Sequence, residues 1–212
     1  IMNKALQFDE LNVLSENRRS EPYEEYFDKM SISDKQKRLR IAFSKQMEEV
    51  ILFCLSLIET MIENEEVDQE YIEDELSEQY LAIAAIYFAA DDYITDYVRQ
   101  FSHDVVQSTF DHIKEEYFLS RDRAMFISEC EANTSLNYKE YTDAIKSGKK
   151  YKTWKDIGDK RERRTHLEVG GTTIPIKELF AVGDSLMLFP KDTSHGAFSK
   201  EIVNCRCSIQ YS

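Results

Sequence analysis

Glycine is missing from the first 147 of 212 residues, and proline occurs there once, at Pro22. All six glycines fall at or after Gly148, where Pro175 and Pro190 also lie. A stretch that long without the two residues that most readily interrupt regular structure favours long helices. Long apolar runs are missing as well. VILFCLSLI from Val50 and LAIAAIYFAA from Leu81 both fall short of the ~20 residues a bilayer span needs, so no membrane partner is expected. Ile1–Ser20 holds no unbroken apolar segment of the kind a secretory leader carries. Cysteine is scarce: Cys54, Cys130, Cys205 and Cys207. Without a secretion signal the expectation is a reducing compartment rather than a disulfide framework. Also absent are the glycine loops that cradle nucleotides, HExxH, GxSxG and paired CxxC. The standard enzyme signatures are therefore missing, and a catalytic role is not the leading expectation.

What is present divides at Gly148. The chain carries a formal charge of −13. From Gly148 onward there are 12 Lys and Arg against 8 Asp and Glu, a balance of +4, which leaves −17 for the first 147 residues. An acidic surface repels nucleic acid and anionic membranes. The single basic stretch, KKYKTWKDIGDKRERR over Lys149–Arg164, is the one place where local DNA contact is expected.

Before Gly148 the apolar spacing is helical. Ser33, with Gln36 three residues on, predicts a capped helix start. Leu39, Phe43, Met47, Val50, Ile51, Cys54, Leu55 and Ile58 then fall on one face. A second helical stretch is predicted over about Asp68–Phe118, broken once or twice, with LAIAAIYFAA as its buried middle. A third runs from about Ser120 to Ser147, with Gly148 as its stop. After Gly148, KYKTWK, TTIPI, DSLMLF and IVNCRCSIQY read as short strands, and DKRERRTHLEV as two or three helical turns. The fold class expected is α+β, mostly α: a helical region over 1–119, then a helix and a small mixed, strand-rich module over 120–212.

The unusual residues concentrate in that module. NCRC places Cys205 and Cys207 two apart, which on a strand puts both thiols on one face. With His166 or His195 they could grip a metal such as zinc, although no cofactor is the leading expectation; two thiols packed in a core are the other reading, and both stay open here. On a helix Asp159, Arg163 and His166 would share a face. That set reads as an anion site with His166 exchanging protons, as in a nuclease, or as a hydrogen-bonded cluster that orders the module.

Taken in order, Trp154, Asp159, Arg161, Arg163, His166, Gly170-Gly171, Pro190 and the Asn204–Cys207 run, with Glu129 and Asn133 four apart on the preceding helix, resemble the C-terminal domain of the phage Mu F-like head morphogenesis proteins. The resemblance covers about Ser120–Ser212. It implies a minor head (minor capsid) protein of a phage or prophage, associated with the portal and other head proteins and acting in DNA packaging or ejection. It implies residence in the host cytoplasm during assembly and then inside the virion head. It implies NCRC as the closing strand of the module, near His166 and the arginines, with Asn133, Trp154, Asp159, Arg161, Arg163, His166, Asn204 and Arg206 as motif residues. Some relatives carry an effector domain after NCRC; with five residues left here, none is expected. The competing expectation is a nuclease or nucleotide-modifying effector using His166, Arg163 and Glu129.

Overall fold

The computed structural model describes residues 21–159 and 162–212. Its elements are α1 (Tyr23–Asp28), α2 (Asp34–Glu63), α3 (Gln69–Tyr87), α4 (Asp92–Asp111), a 3-10 turn (Glu116–Leu119), α5 (Arg121–Lys146), β1 (Tyr151–Lys155), α6 (Arg164–Val169), β2 (Thr173–Pro175), β3 (Phe180–Val182), β4 (Ser185–Met187), α7 (Ser199–Ile202) and β5 (Ser208–Tyr211). This is an α+β chain, mostly α, and among the described residues the strands are confined to the C-terminal part. It divides into two compact units, one of residues 42–131 and one combining 21–41 with 132–212, so α2 and α5 each contribute residues to both.

The helix starts follow side-chain chemistry. At α2 the Ser33 backbone N–H donates to Gln36 Oε1 at 2.9 Å and Gln36 N–H returns to Ser33 Oγ at 3.4 Å, a reciprocal capping box. Asp68 and Asp91 accept from Tyr71 N–H and Ile94 N–H at the starts of α3 and α4. At the far end of α5, Gly148 takes φ 75°; its N–H bonds to Ile145 O, and that of Lys149 to Ala144 O. This is the 5→2, 6→1 pair of a Schellman cap.

In the 42–131 unit, α2 buries Phe43, Met47, Ile51, Cys54, Leu55 and Ile58, while Val50 is half-exposed. Cys54 is a packed thiol: burial, then the charge of Glu75, pushes it up to about 12. Tyr80 meets Phe43 and Phe101 edge-on at 6.0 and 5.2 Å. Its hydroxyl and that of Tyr97 both donate to Glu131 Oε2, at 2.9 and 2.8 Å. The second helical stretch breaks at 88–91 and 112–115, in keeping with the expectation of one or two breaks. The expectation that LAIAAIYFAA is buried all round is corrected. Only Ile83 and Ala84 of that run are buried, and Ile86 is 67% exposed. α3 offers one stripe, Ile72, Leu76, Tyr80, Ile83 and Ala84, and the rest of the run turns away from it.

In the other unit, β1 is central in the antiparallel order β2-β1-β5, with Trp154 opposite Ile209 and Lys152 opposite Ile174. β3 and β4 form a separate hairpin with Phe180 opposite Met187. Trp154, Phe180, Val182, Met187, Phe189, Ile202, Ile209 and the two late cysteines close into one apolar cluster. Two expected elements are shorter than the sequence suggests. IVNCRCSIQY is a strand only over Ser208–Tyr211, because Asn204 adopts φ 53° and turns the chain before it. The helix in DKRERRTHLEV begins at Arg164, so Asp159 and Arg163 lie outside it. Glu162 there accepts backbone N–H bonds from Ile157 and Gly158, which favours a turn over an earlier helix start.

Candidate functional site

The site is built on the NCRC turn, and the helix beside it holds that turn in place. Asn133 and Asn137 lie one helical turn apart on α5. Asn133 Nδ2 donates to Cys205 O at 3.1 Å, and Asn137 Nδ2 donates to Pro190 O at 2.9 Å. Both side-chain oxygens accept from Arg40, Asn133 from Nε at 3.0 Å and Asn137 from an Nη at 2.8 Å. The same guanidinium grips Glu140 through two bonds of 2.7 and 3.2 Å. Arg40 is fully buried, so each of these donors needs a partner, and each of the three nitrogens has one. Sequence reasoning found Asn133 by resemblance and missed Arg40, Asn137 and Glu140. A cation three positions before Phe43 on the apolar face of α2 was the available signal.

Past the turn, three buried donor atoms converge. His166 Nδ1 lies 3.3 Å from Cys207 Sγ and 3.6 Å from Cys205 Sγ, and the three atoms all fall within 4.8 Å of one another. His166 is 1% exposed, and each cysteine 2%. The other ring nitrogen, Nε2, stands 3.2 Å from Glu201 Oε2, within ion-pair distance but off hydrogen-bond alignment. Thr165 Oγ1 donates to that same carboxylate oxygen at 2.7 Å. Trp154 packs edge-on to the His166 ring at 5.9 Å. Glu162 Oε1 is 3.5 Å from Cys207 Sγ. Around the turn, Arg163 donates to Val203 O and Arg206 to Asp159 Oδ2 at 2.6 Å. A cavity of about 20 Å³ lies among these groups, lined by His166, both cysteines, Glu162, Arg163 and Asp159 among others.

The electrostatics couple the thiols. Cys205 is held well below the ordinary thiol range by the hydrogen bond from Cys207, supported by His166 and opposed by burial. Cys207 is pushed up by that same hydrogen bond and by burial. Burial alone would lower His166, but its contact with Cys205, aided by Glu201 and opposed by Arg163, leaves it above its ordinary value. The arrangement favours one thiolate shared between a second thiol and an imidazole.

The structure thus brings together Trp154, Asp159, Arg163, His166, Cys205, Arg206 and Cys207, with Asn133 as their support and Asn204 as the positive-φ residue of the turn. Arg161 lies outside the described residues. Glu129 is buried and belongs to the 42–131 unit, whereas His166 belongs to the other. The expected basic stretch is thinner than its sequence: Lys152 turns inward, donating to Leu188 O at 2.6 Å over the rings of Tyr141 and Phe180. Glu162 and Glu201 were not singled out from sequence, and nothing in their local spacing marks them.

The module is α+β, supported by a helix and closed by a cysteine-bearing turn on a buried histidine. The family described as Phage Mu protein F like protein matches residues 102–210, half of the chain. The chain belongs to that family, and it is a phage head-related protein, with other phage head proteins as the partners to expect. No match was found among curated proteins, and none among solved structures. No helix among the described residues is long and apolar enough to cross a membrane.

Proposed function

We propose that the chain is a minor head protein that works by binding rather than by turnover. On this reading it associates with the portal during head assembly, in the host cytoplasm, then stays in the head interior and affects DNA packaging or ejection. The observation that carries the reading is the family match over residues 102–210. Two features of the molecule support it. A polar cluster joins Arg40 to the family region, and its side chains are spent on one another and on backbone carbonyls, as in a rigid binding module. His166 is 1% exposed, which offers a polymeric substrate no access to its ring.

Co-expression with a phage portal protein tests the reading. A complex that survives size exclusion and gives a fixed ratio by native mass spectrometry is the expected result. A chain that elutes alone, while cleaving supercoiled DNA in a manner lost in His166→Ala, would replace binding with the nuclease reading.

A further inference from the structure

We infer that His166 Nδ1, Cys205 Sγ and Cys207 Sγ form a zinc site, whose fourth position is a water facing Glu162. The inference stands apart from the portal reading and rests on geometry. Zinc–sulfur bonds of about 2.3 Å and zinc–nitrogen bonds of about 2.05 Å at a tetrahedral angle place nitrogen and sulfur roughly 3.6 Å apart. The distances from His166 Nδ1 to the two sulfurs, 3.6 and 3.3 Å, already stand at that separation. Thiols that serve only as small apolar groups, as Cys54 does, have no reason to meet on one ring nitrogen.

Three further observations point to an ion. The cavity of about 20 Å³ is lined by all three donor residues, and a space of that size holds a single water or ion. The far nitrogen of His166 faces the Glu201 carboxylate, which Thr165 holds in turn; metal-bound histidines are commonly oriented by a carboxylate in this way. Glu162 Oε1 is 3.5 Å from Cys207 Sγ, and backbone N–H bonds fix its carboxylate from Ile157 and Gly158. That carboxylate lines the cavity and would accept from a water in the fourth position. Two thiolates and an imidazole select zinc over calcium or magnesium, which take oxygen ligands.

The test uses the full chain. Metal content is measured by mass spectrometry as purified, after chelation, and after return of zinc chloride or magnesium chloride, with a melting curve at each stage. The expected result is about one zinc per chain, a lower melting temperature on removal, and recovery with zinc alone. Cobalt chloride added to the stripped chain gives thiolate-to-cobalt charge transfer and strong visible bands, a readout that needs no substitution. Cys207→Ser and Cys205→Ser lose the zinc, whereas Cys54→Ser and Glu162→Gln keep it. Stripped wild-type protein that takes up neither zinc nor cobalt would overturn the inference. So would undiminished zinc in the Cys205→Ser, Cys207→Ser double variant, or a thiol count showing those two cysteines joined as a disulfide.

Discussion

Single residues set the sharpest expectations, because several charged side chains are buried on specific partners. Arg40 is one. Removing a buried guanidinium leaves Glu140, Asn133 and Asn137 with unmet hydrogen bonds, and breaking a buried ion pair from one side costs about 3–5 kcal/mol. Arg40→Ala should lower unfolding free energy in urea by about that much, while Asn133→Ala, which frees Cys205 O and one Arg40 contact, should lose about 2 kcal/mol. A loss under about 1 kcal/mol for Arg40→Ala would remove the network from the account of how NCRC is held. Lys152 gives a pH signature. Burial pulls it from 10.5 down to about 8, against the smaller pull of Asp192 and Glu178. Between those values the unfolded chain binds the proton and the folded chain does not, so stability rises with pH across about 8 to 10.5. The penalty for the buried ammonium is present in full below that window. Thiols titrate in the same range, so the readout is a difference: denaturation midpoints of Lys152→Met should rise less over the window than those of wild type. Equal slopes would mean that Lys152 is not a proton-linked group.

At the scale of elements, the sequence was most legible where local chemistry decides. Ser33 with Gln36, and Gly148 at the end of α5, marked helix boundaries because their partners lie within a turn of them. Gly148 sits at φ 75°, where a side chain with a Cβ costs about 1 kcal/mol. Gly148→Ala should therefore lower the melting temperature by about 2–4 °C, and Gly148→Asn by less. No change on Gly148→Ala would mean that the last turn of α5 frays without cost. The elements that escaped prediction are those whose residues answer to distant partners. NCRC alternates like a strand, yet a left-handed residue at Asn204 turns it, and the thiols converge through that turn rather than through a pleat. Arg163 was placed on a helix by its spacing to His166, but its guanidinium reaches Val203 O, forty positions on. Glu201 reaches His166 and Thr165 from thirty-five and thirty-six positions away, a pairing that no local pattern encodes. The Mu F-like resemblance supplied the order of motif residues, whereas their roles as turn, anchor or donor became legible only in three dimensions.

At the scale of the whole molecule, charge separates the binding readings. The chain carries −13, the sum of −17 before Gly148 and +4 from it onward. Among the described residues of the Lys149–Arg164 stretch, three of the six cations are already engaged. Lys152 points inward, Arg163 is spent on Val203 O, and Arg164 pairs with Glu168 at 2.8 Å. Affinity for nucleic acid comes chiefly from displaced counterions, so a protein that neutralises few phosphates binds weakly once salt is present. The intact chain should not shift fluorescence anisotropy of a short DNA duplex at about 0.15 M salt, where the Debye length is about 8 Å. Any retention near 0.01 M salt should be lost in Lys149→Glu, Lys150→Glu. Portal association should instead strengthen as salt falls only where the portal presents a basic face, since opposite fields accelerate encounter and like fields oppose it. Duplex binding that persists at about 0.15 M salt would reverse this order. It would make DNA the first ligand of the module.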